Sequence, residues 1–169
     1  MFPIRDHNPS GRVPYVTYVL MALNVGIFLS YVPILNDDRA LYALYNAYAL
    51  VPVRVSDGYG FEGLFTSQFL HGGWMHLVGN MLFLWIYGDN IEEEMGHFAY
   101  LAFYLAAGVA AGLTQVAFEP SSAVPMVGAS GAIAGVMGAY LLLFPKAKVD
   151  ILIIFVAFFR IFPIPAWII

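Results

Sequence analysis

Residues 14–32 restrict the possible folds of this chain more than any other segment. They read PYVTYVLMALNVGIFLSYV and contain no charged side chain. A helix of this length extends over about 28 Å, close to the ~30 Å hydrocarbon core of a bilayer. The proline at its start suits the first turn of a helix, where a backbone N–H is not needed. The segment therefore predicts a helix that spans a membrane.

The composition of the whole chain supports that prediction. Of its 169 residues, 61% are hydrophobic and only 11% are charged, which is less charge than a soluble domain of this length places on its surface. A polytopic membrane protein, whose lipid-facing surface is as apolar as its core, accounts for both values. There is no cysteine, and a formal net charge of −4 without a basic cluster gives no support to a nucleic-acid partner.

Hydropathy and helix-stop signals predict one all-α membrane domain over residues 1–169. The fourth predicted span stops at Pro145 and is shorter than the ~20 residues that a full crossing needs. We therefore expect it to begin inside the bilayer, against protein or in a cavity. The predicted complete spans, four in number, are 14–32, 74–91, 98–118 and 128–144.

The segments between and after these spans have less regular patterns. Residues 33–70 form a long first loop, in which tyrosines at helical spacing indicate an element at the membrane interface, although an ordinary extracellular loop explains them equally well. Residues 149–162 are too interrupted for a span, and we interpret them as an interfacial loop. Residues 163–169 resemble the opening turn of a fifth span, so we expect the chain to be a fragment that is truncated at its C-terminus.

The few basic residues predict the orientation. Residues 1–13 lack the apolar core of a cleavable signal peptide and are interpreted as a cytoplasmic tail. Arg5 and Arg12 precede the first span, and Lys146 and Lys148 follow the fourth. Basic residues concentrate on the cytoplasmic side of a membrane protein, and acidic residues have little influence on its orientation. The pattern predicts a multi-pass membrane protein with its N-terminus in the cytoplasm.

Three polar residues within the predicted spans fall at one level. His76 and Asn80 are four residues apart and share a helix face. Measured from the same membrane surface at the rise of an α-helix, His76 lies about 20 Å and Ser130 about 22 Å along their helices. Polar groups inside a membrane are costly and face a bundle interior or water. The spacing predicts that the three side chains converge.

These residue types together indicate acyl-transfer chemistry. Ser130 stands at the predicted start of a helix, in MVGASGAIAGVMG, where free backbone N–H groups favour an oxyanion. His76 and Asn80 offer further donors to such an oxygen. A serine that attacks a carbonyl carbon would place negative charge there.

Structural interpretations of the same residues stay open. Gly131, Gly135 and Gly138 share one helix face, and Gly108 and Gly112 form a second pair at the same spacing, which is typical of close helix packing in membranes. Ser130 is also a suitable helix cap, and a lone histidine often bonds one helix to another. Packing glycines and a catalytic serine are compatible.

Several motifs in order resemble the rhomboid intramembrane serine proteases of the prokaryotic type. They are GASG around Ser130, FLHGGWMHLVGNM at 69–81, GDNIE at 88–92, the opening RDHNPS and GAYLLLFP at the end of the fourth span. The resemblance covers essentially the whole chain. It implies a rhomboid-like helical bundle of six core helices, with a short fourth helix that carries the nucleophile.

The resemblance also implies roles for individual residues. Ser130 corresponds to the nucleophile, while His76 and Asn80 correspond, with the Ser130 N–H, to the oxyanion hole. Gly128, Gly131 and His71 are supporting residues, and His71 is a structural histidine where the first loop joins the second span. The implied activity is cleavage of transmembrane protein substrates near the outer face of a bilayer, without metal or cofactor. The implied location is a bacterial inner membrane.

The chain departs from the family pattern at two places. Glu62 and Gly63 stand where the family often has a Trp-Arg pair in the first loop. The catalytic histidine of the sixth helix has no counterpart here, and His7 and His97 fall in the tail and at the opposite surface. We therefore expect a serine endopeptidase in the full-length protein and an inactive fragment in these 169 residues.

Two other function classes are compatible with parts of the pattern. A non-catalytic rhomboid-like protein would bind membrane helices without cleaving them, but such relatives typically lose the site residues that are present here. A glycine-packed scaffold or transporter fragment would carry the motifs by accident. Transporters often show inverted repeats, and the predicted spans show none.

Overall fold

The computed structural model describes residues 2–155 and 158–168. These residues form seven α-helices and three strands, joined by short 3-10 turns. The elements in chain order are β1 (Phe2–Asp6), α1 (Tyr15–Tyr31), α2 (Asp38–Tyr48), α3 (Pro52–Ser56), α4 (Gly63–Thr66), α5 (Trp74–Met95), α6 (His97–Phe118), α7 (Ser130–Leu143), β2 (Lys148–Phe155) and β3 (Phe158–Pro165).

The four longest helices, α1, α5, α6 and α7, lie at the predicted spans. Helices α1, α6 and α7 begin and end within two residues of the predicted bounds, and α5 continues four residues beyond its predicted end. Within the described residues, two stretches are long and apolar enough to cross a membrane, Tyr15–Ile34 and His97–Phe118. That α5 and the 14-residue α7 also enter the membrane stays a prediction.

A three-stranded antiparallel sheet, in the order β1-β2-β3, joins the two ends of the described chain. The all-α prediction is wrong here, as are the loop predicted at 149–162 and the helical start of a fifth span predicted at 163–169. Residues 156, 157 and 169 of those predictions lie outside the described residues. The segment 149–155 reads VDILIIF, and β-branched residues favour strands. Pro163 and Pro165 fit because β3 is an edge strand.

The core lies where α1, α5, α6 and α7 meet. It contains fully buried aromatic side chains from three of these helices, which include Phe28, Tyr100, Tyr104 and Tyr140. Close packing of such large side chains stabilises the bundle interior through many van der Waals contacts. Helix α7 packs against both α5 and α6, and this arrangement sets the position of Ser130 at its start.

Glu92 joins the end of α5 to the start of α1. Its side chain is 2% exposed, and its two carboxylate oxygens accept the N–H groups of Val16 and Thr17 at 2.8 Å. The Thr17 hydroxyl and His97 Nδ1 also bond to it, at 2.8 and 2.6 Å. Helix α1 has no capping side chain of its own. The Glu92 carboxylate therefore accepts hydrogen bonds from free N–H groups in the first turn of α1, and its negative charge is stabilised by the positive end of the helix dipole.

The N-terminal tail is bound to the same end of α5. The Asn8 and Asn90 side chains bond to each other at 2.7 Å, and Asn90 Nδ2 also donates to the Asn8 carbonyl oxygen at 2.9 Å. The Ser10 hydroxyl donates to Asp89 at 2.9 Å. The tail is therefore an ordered part of the fold, through contacts between residues about 80 positions apart.

Glycines let α7 approach α6 closely, which confirms the packing interpretation for two of them. A β-carbon added at Gly131 would lie 2.6 Å from Ala111 Cβ, and one at Gly135 would lie 2.5 Å from Ala107 Cβ. Gly138 does not take part, because a β-carbon there would meet no described atom within 4 Å. The prediction that Gly138 shares in the packing is wrong.

This contrast predicts opposite effects of one substitution at two positions of α7. Gly135→Ala should lower the free energy of unfolding by about 1–3 kcal/mol, because the added methyl group overpacks the helix contact. Gly138→Ala should leave it unchanged or raise it by up to about 1 kcal/mol, since alanine is the better helix former. Denaturant unfolding in detergent micelles measures both. Equal effects of the two variants would contradict the proposed packing.

Candidate active site

Ser130 is the first residue of α7 and is exposed. The preceding residue, Ala129, offers no capping side chain, and Ile133 N–H is the first to bond back, to the Ala129 carbonyl oxygen at 3.0 Å. The backbone N–H of Ser130 therefore lies in the first turn of the helix, where no intrahelical acceptor exists. The serine hydroxyl and this N–H project from the same helix terminus.

Gly128 and His76 lie against each other next to Ser130. Gly128 has φ +128°, a conformation that favours glycine. A β-carbon there would lie 2.7 Å from His76 Nε2 and 3.7 Å from Ser130 Oγ. Any larger residue at 128 would therefore displace the imidazole. His76 Nδ1 accepts the Gly72 N–H at 3.3 Å, so the neutral ring carries its proton on Nε2, the atom that faces Gly128.

Asn80 completes the group one turn further along α5. It is 8% exposed, and its Nδ2 has no hydrogen-bond partner among the described residues. His76, Asn80 and Ser130 line one cavity of about 300 Å³ whose remaining walls include Phe83 and Met137. The convergence expected from helix rise agrees with this geometry. An unpaired amide donor in an apolar wall is costly unless something accepts its bond.

His71 supports His76 from behind. Its ring is fully buried and meets the His76 ring edge-on, with centroids 5.1 Å apart. The Tyr31 hydroxyl accepts the His71 N–H at 2.6 Å and donates to its carbonyl oxygen at 2.9 Å, and the Tyr45 hydroxyl donates to the same oxygen at 3.2 Å. Burial, followed by the neighbouring His76, lowers the pKa of His71 to about 4. The ring is therefore neutral at pH 7.

The first loop braces the segment that leads to Ser130. Leu50 and Met126 exchange backbone hydrogen bonds of 3.1 and 2.8 Å, and the Gly128 N–H donates to the Ser67 carbonyl oxygen at 2.9 Å. Gly63 fits a close backbone approach, because a β-carbon there would lie 2.7 Å from the Ala49 carbonyl oxygen. A larger side chain at 63 would therefore require the backbone at Ala49 to shift.

A second cavity lies on the other side of Ser130, and its lining includes polar residues that no sequence motif indicates. It measures about 220 Å³ and is lined by Ser67, Gln68, Gln115 and Ser130, among others. Gln68 is 3% exposed, and its Oε1 has no hydrogen-bond partner among the described residues. Its Nε2 donates to the Leu64 carbonyl oxygen at 2.8 Å. The available signal was the polar run Thr-Ser-Gln between apolar residues, in FTSQFL.

The other two of the chain's four histidines lie away from Ser130. His7 Nε2 bonds to Asp150 at 2.8 Å, and His97 Nδ1 bonds to Glu92 at 2.6 Å. Across residues 2–155 and 158–168, no side chain forms a hydrogen bond with Ser130 Oγ. The described residues thus supply an accessible serine with N–H donors beside it, but no base in contact with the serine.

Comparison with known proteins agrees with the motifs. The family model described as the Rhomboid domain matches residues 60–169. Rhomboid-like protein 11, chloroplastic, from Arabidopsis thaliana is 34% identical over 131 residues, which are 77% of this chain and 42% of that protein. Rhomboid protease GluP from Bacillus subtilis is 42% identical over 78 residues, which are 46% of this chain and 15% of that protein.

A third relative, Rhomboid protein 1, mitochondrial, from Saccharomyces cerevisiae, is 33% identical over 108 residues. That match covers 60% of this chain and 29% of the yeast protein. The chain thus spans less than half the length of each of these three relatives. Because the family model covers well over half of the chain, the protein belongs to the rhomboid family.

Proposed function

We propose that the protein is an intramembrane serine endopeptidase that cleaves transmembrane segments of other membrane proteins. The observation that carries this proposal is the cavity in which Ser130, at an uncapped helix start, meets two side-chain donors, His76 and Asn80. Membership of a family that includes a relative named as a protease supports it. Metal and cofactor take no part in the proposed reaction.

In the proposed first step, Ser130 Oγ attacks the carbonyl carbon of the scissile peptide bond. The carbonyl oxygen becomes negatively charged as the tetrahedral intermediate forms. The Ser130 N–H, His76 Nε2–H and Asn80 Nδ2–H donate to that oxygen and stabilise it. The hydroxyl proton passes to a base and then to the departing amine, which leaves an acyl ester on Ser130.

We propose that the base is a histidine that these 169 residues do not contain. His76 keeps its proton on the atom that faces the site, and His71 is fully buried with no hydrogen bond to Ser130. His7 and His97 are bound to Asp150 and Glu92. These residues alone are accordingly proposed to be inactive, because a serine hydroxyl is a weak nucleophile without a base.

The cavity on the far side of Ser130 fits the second half of the reaction. Water must attack the acyl ester, which releases the carboxylic acid and restores the serine hydroxyl. In an apolar surrounding, a water molecule needs two or more polar partners. Gln68 Oε1, which is buried without a partner, and the nearby Gln115 and Ser67 side chains provide such partners beside Ser130.

The proposed location is a cell membrane of bacterial type, with the N-terminus in the cytoplasm. Arg5, Arg12, Lys146 and Lys148 lie on one side of the predicted spans and support this orientation. The family and the two long apolar helices indicate a membrane protein in any case. The Bacillus relative supports the bacterial assignment.

A second candidate function is binding of membrane helices without cleavage. One observation favours it, namely that no described side chain contacts Ser130 as a base. The presence of Ser130, His76 and Asn80 in one cavity argues for the protease. Binding without cleavage forms no oxyanion, so it does not require these donors. The two candidates differ in whether cleavage products form.

The Asn80→Ala variant tests the proposed oxyanion hole. Loss of one donor should lower kcat by about 10²- to 10³-fold and leave KM nearly unchanged, because the bond strengthens only in the transition state. The measurement is cleavage of transmembrane substrates by the full-length protein in proteoliposomes. Asn36→Ala, at an exposed position remote from the cavity, is the matched control. A rise in KM at constant kcat would contradict the role of Asn80, and no cleavage by the native protein would contradict the function.

A further inference from the structure

A second site lies at the end of the molecule opposite the start of α7. There the N-terminal segment crosses the beginning of α1 and the end of α5, and it borders an open cavity of about 350 Å³. Two arginines, Arg5 and Arg12, and two carboxylates, Asp6 and Asp89, contribute to its lining. None of these groups belongs to the proposed catalytic site.

The charges in this cavity are not paired with one another. Within the described residues, neither Arg5 nor Arg12 forms an ion pair, and both are exposed. The carboxylates are occupied by neutral partners. Asp6 accepts the Tyr140 hydroxyl at 2.9 Å, and Asp89 accepts the Ser10 hydroxyl at 2.9 Å and the N–H of the next residue at 2.8 Å. The guanidinium groups therefore keep their donors for an external anion.

The outer wall of the cavity is aromatic. Tyr18 from α1 and Trp85 from α5 stack with ring centroids 5.9 Å apart and an interplanar angle of 22°. Both line the cavity and remain 43% and 56% exposed. Tyr18 lies in the first turn of α1, a candidate membrane span. Tyrosine and tryptophan concentrate at the level of lipid headgroups, where one side is apolar and the other wet.

We propose that this cavity binds the phosphate group of an anionic phospholipid from the leaflet on the N-terminal side. Arginine forks match phosphate oxygens in a bidentate geometry, and basic pockets beside membrane helices hold anionic headgroups. The acyl chains run along the Tyr18–Trp85 stack and the exposed side of α1. The inference rests on the membrane location of the protein and is independent of the proteolytic chemistry.

The cavity favours a lipid over a free phosphate ion because of its walls. Two guanidinium groups alone would bind any phosphate, but the stacked rings add an apolar surface that only an acyl chain covers. The cavity also lies where the polar tail meets the start of an apolar helix. Phosphate and tail of one lipid molecule would thus contact adjacent parts of one site.

The test is isothermal titration calorimetry, which measures the affinity of short-chain lipids for the full-length protein in neutral detergent. Dioctanoyl phosphatidylglycerol should bind, and dioctanoyl phosphatidylcholine and inorganic phosphate should bind at least about fivefold more weakly. Arg5→Gln and Arg12→Gln should each weaken phosphatidylglycerol binding about fivefold. Arg39→Gln removes an equal charge from an exposed position in α2 and should have no effect.

Equal affinity for the two lipids, or an equal loss in the Arg39→Gln variant, would overturn the proposal. Inorganic phosphate binding as tightly as the lipid would show a simple anion site instead. A second measurement does not depend on the arginine variants folding. Phosphatidylglycerol with brominated acyl chains should quench the fluorescence of the native protein more than that of Trp85→Phe. Equal quenching of both proteins would contradict the placement of the acyl chains.

Discussion

Ser130→Ala should abolish cleavage of transmembrane substrates by the full-length protein. The expected loss is on the order of 10⁴- to 10⁶-fold in kcat, because no covalent intermediate forms without the hydroxyl group. The substitution removes one oxygen from an exposed position at a helix start, so the fold should remain. The measurement is product formation in proteoliposomes, with folding checked by thermal unfolding in detergent.

The same variant separates the protease from a helix-binding protein. Ser130→Ala should still retain a transmembrane substrate in co-purification, because the walls of the cavity are unchanged. Ser121→Ala is the matched control, since Ser121 is an exposed loop serine outside the cavity. Cleavage at the native rate by Ser130→Ala would exclude this serine as the nucleophile. Binding without cleavage by the native protein would favour the helix-binding function.

Glu92→Ala should destabilise the fold more than any other single change considered. The carboxylate is buried and accepts bonds from Val16, Thr17 and His97. Without it, two N–H groups at the start of α1 and the Thr17 hydroxyl lose their buried acceptor. The expected loss is about 3–5 kcal/mol in the free energy of unfolding, the range measured when one partner of a buried charged network is removed.

Denaturant unfolding in detergent micelles measures this loss. Glu94→Ala provides the control, because Glu94 is exposed two residues further along the same helix and should change stability by about 0.5 kcal/mol or less. A loss of similar size in both variants would mean that negative charge at the end of α5 stabilises the fold, and that the hydrogen bonds from α1 to Glu92 do not. Glu92→Gln should restore part of the loss, since its amide oxygen still accepts one N–H bond.

Some features of the candidate site could be predicted from the sequence and others could not. The proximity of Ser130, His76 and Asn80 could be predicted because the rise per residue of a helix is constant. Residues that are equally many positions from the same membrane surface therefore lie at the same depth in two helices. The tautomer of His76 could not be predicted, because it depends on a backbone bond from Gly72. The roles of Gln68 and Gly63 were also hidden. Gln68 lies against Gly108 of α6, and Gly63 lies against Ala49, fourteen residues earlier in the first loop.

The sheet was missed for a related reason. Residues 149–165 are apolar and interrupted by prolines, a pattern that suits a loop, a broken helix or an edge strand equally well. What selects strands is pairing between Phe2–Asp6 and Lys148–Phe155, across more than 140 positions of the chain. The residue pattern within either segment does not indicate which other segment it pairs with.

The sequence was enough to predict the apolar helices, their approximate ends, the close packing at Gly131 and Gly135, and the group of polar residues around Ser130. These features follow from rules that act within a few turns of one helix, where hydropathy, spacing and side-chain size are sufficient. Three other features could be seen only in the folded chain, namely the sheet, the Glu92 cap on α1 and the two cavities next to Ser130. Each of these depends on which distant segments meet, and that is set by packing of the whole chain.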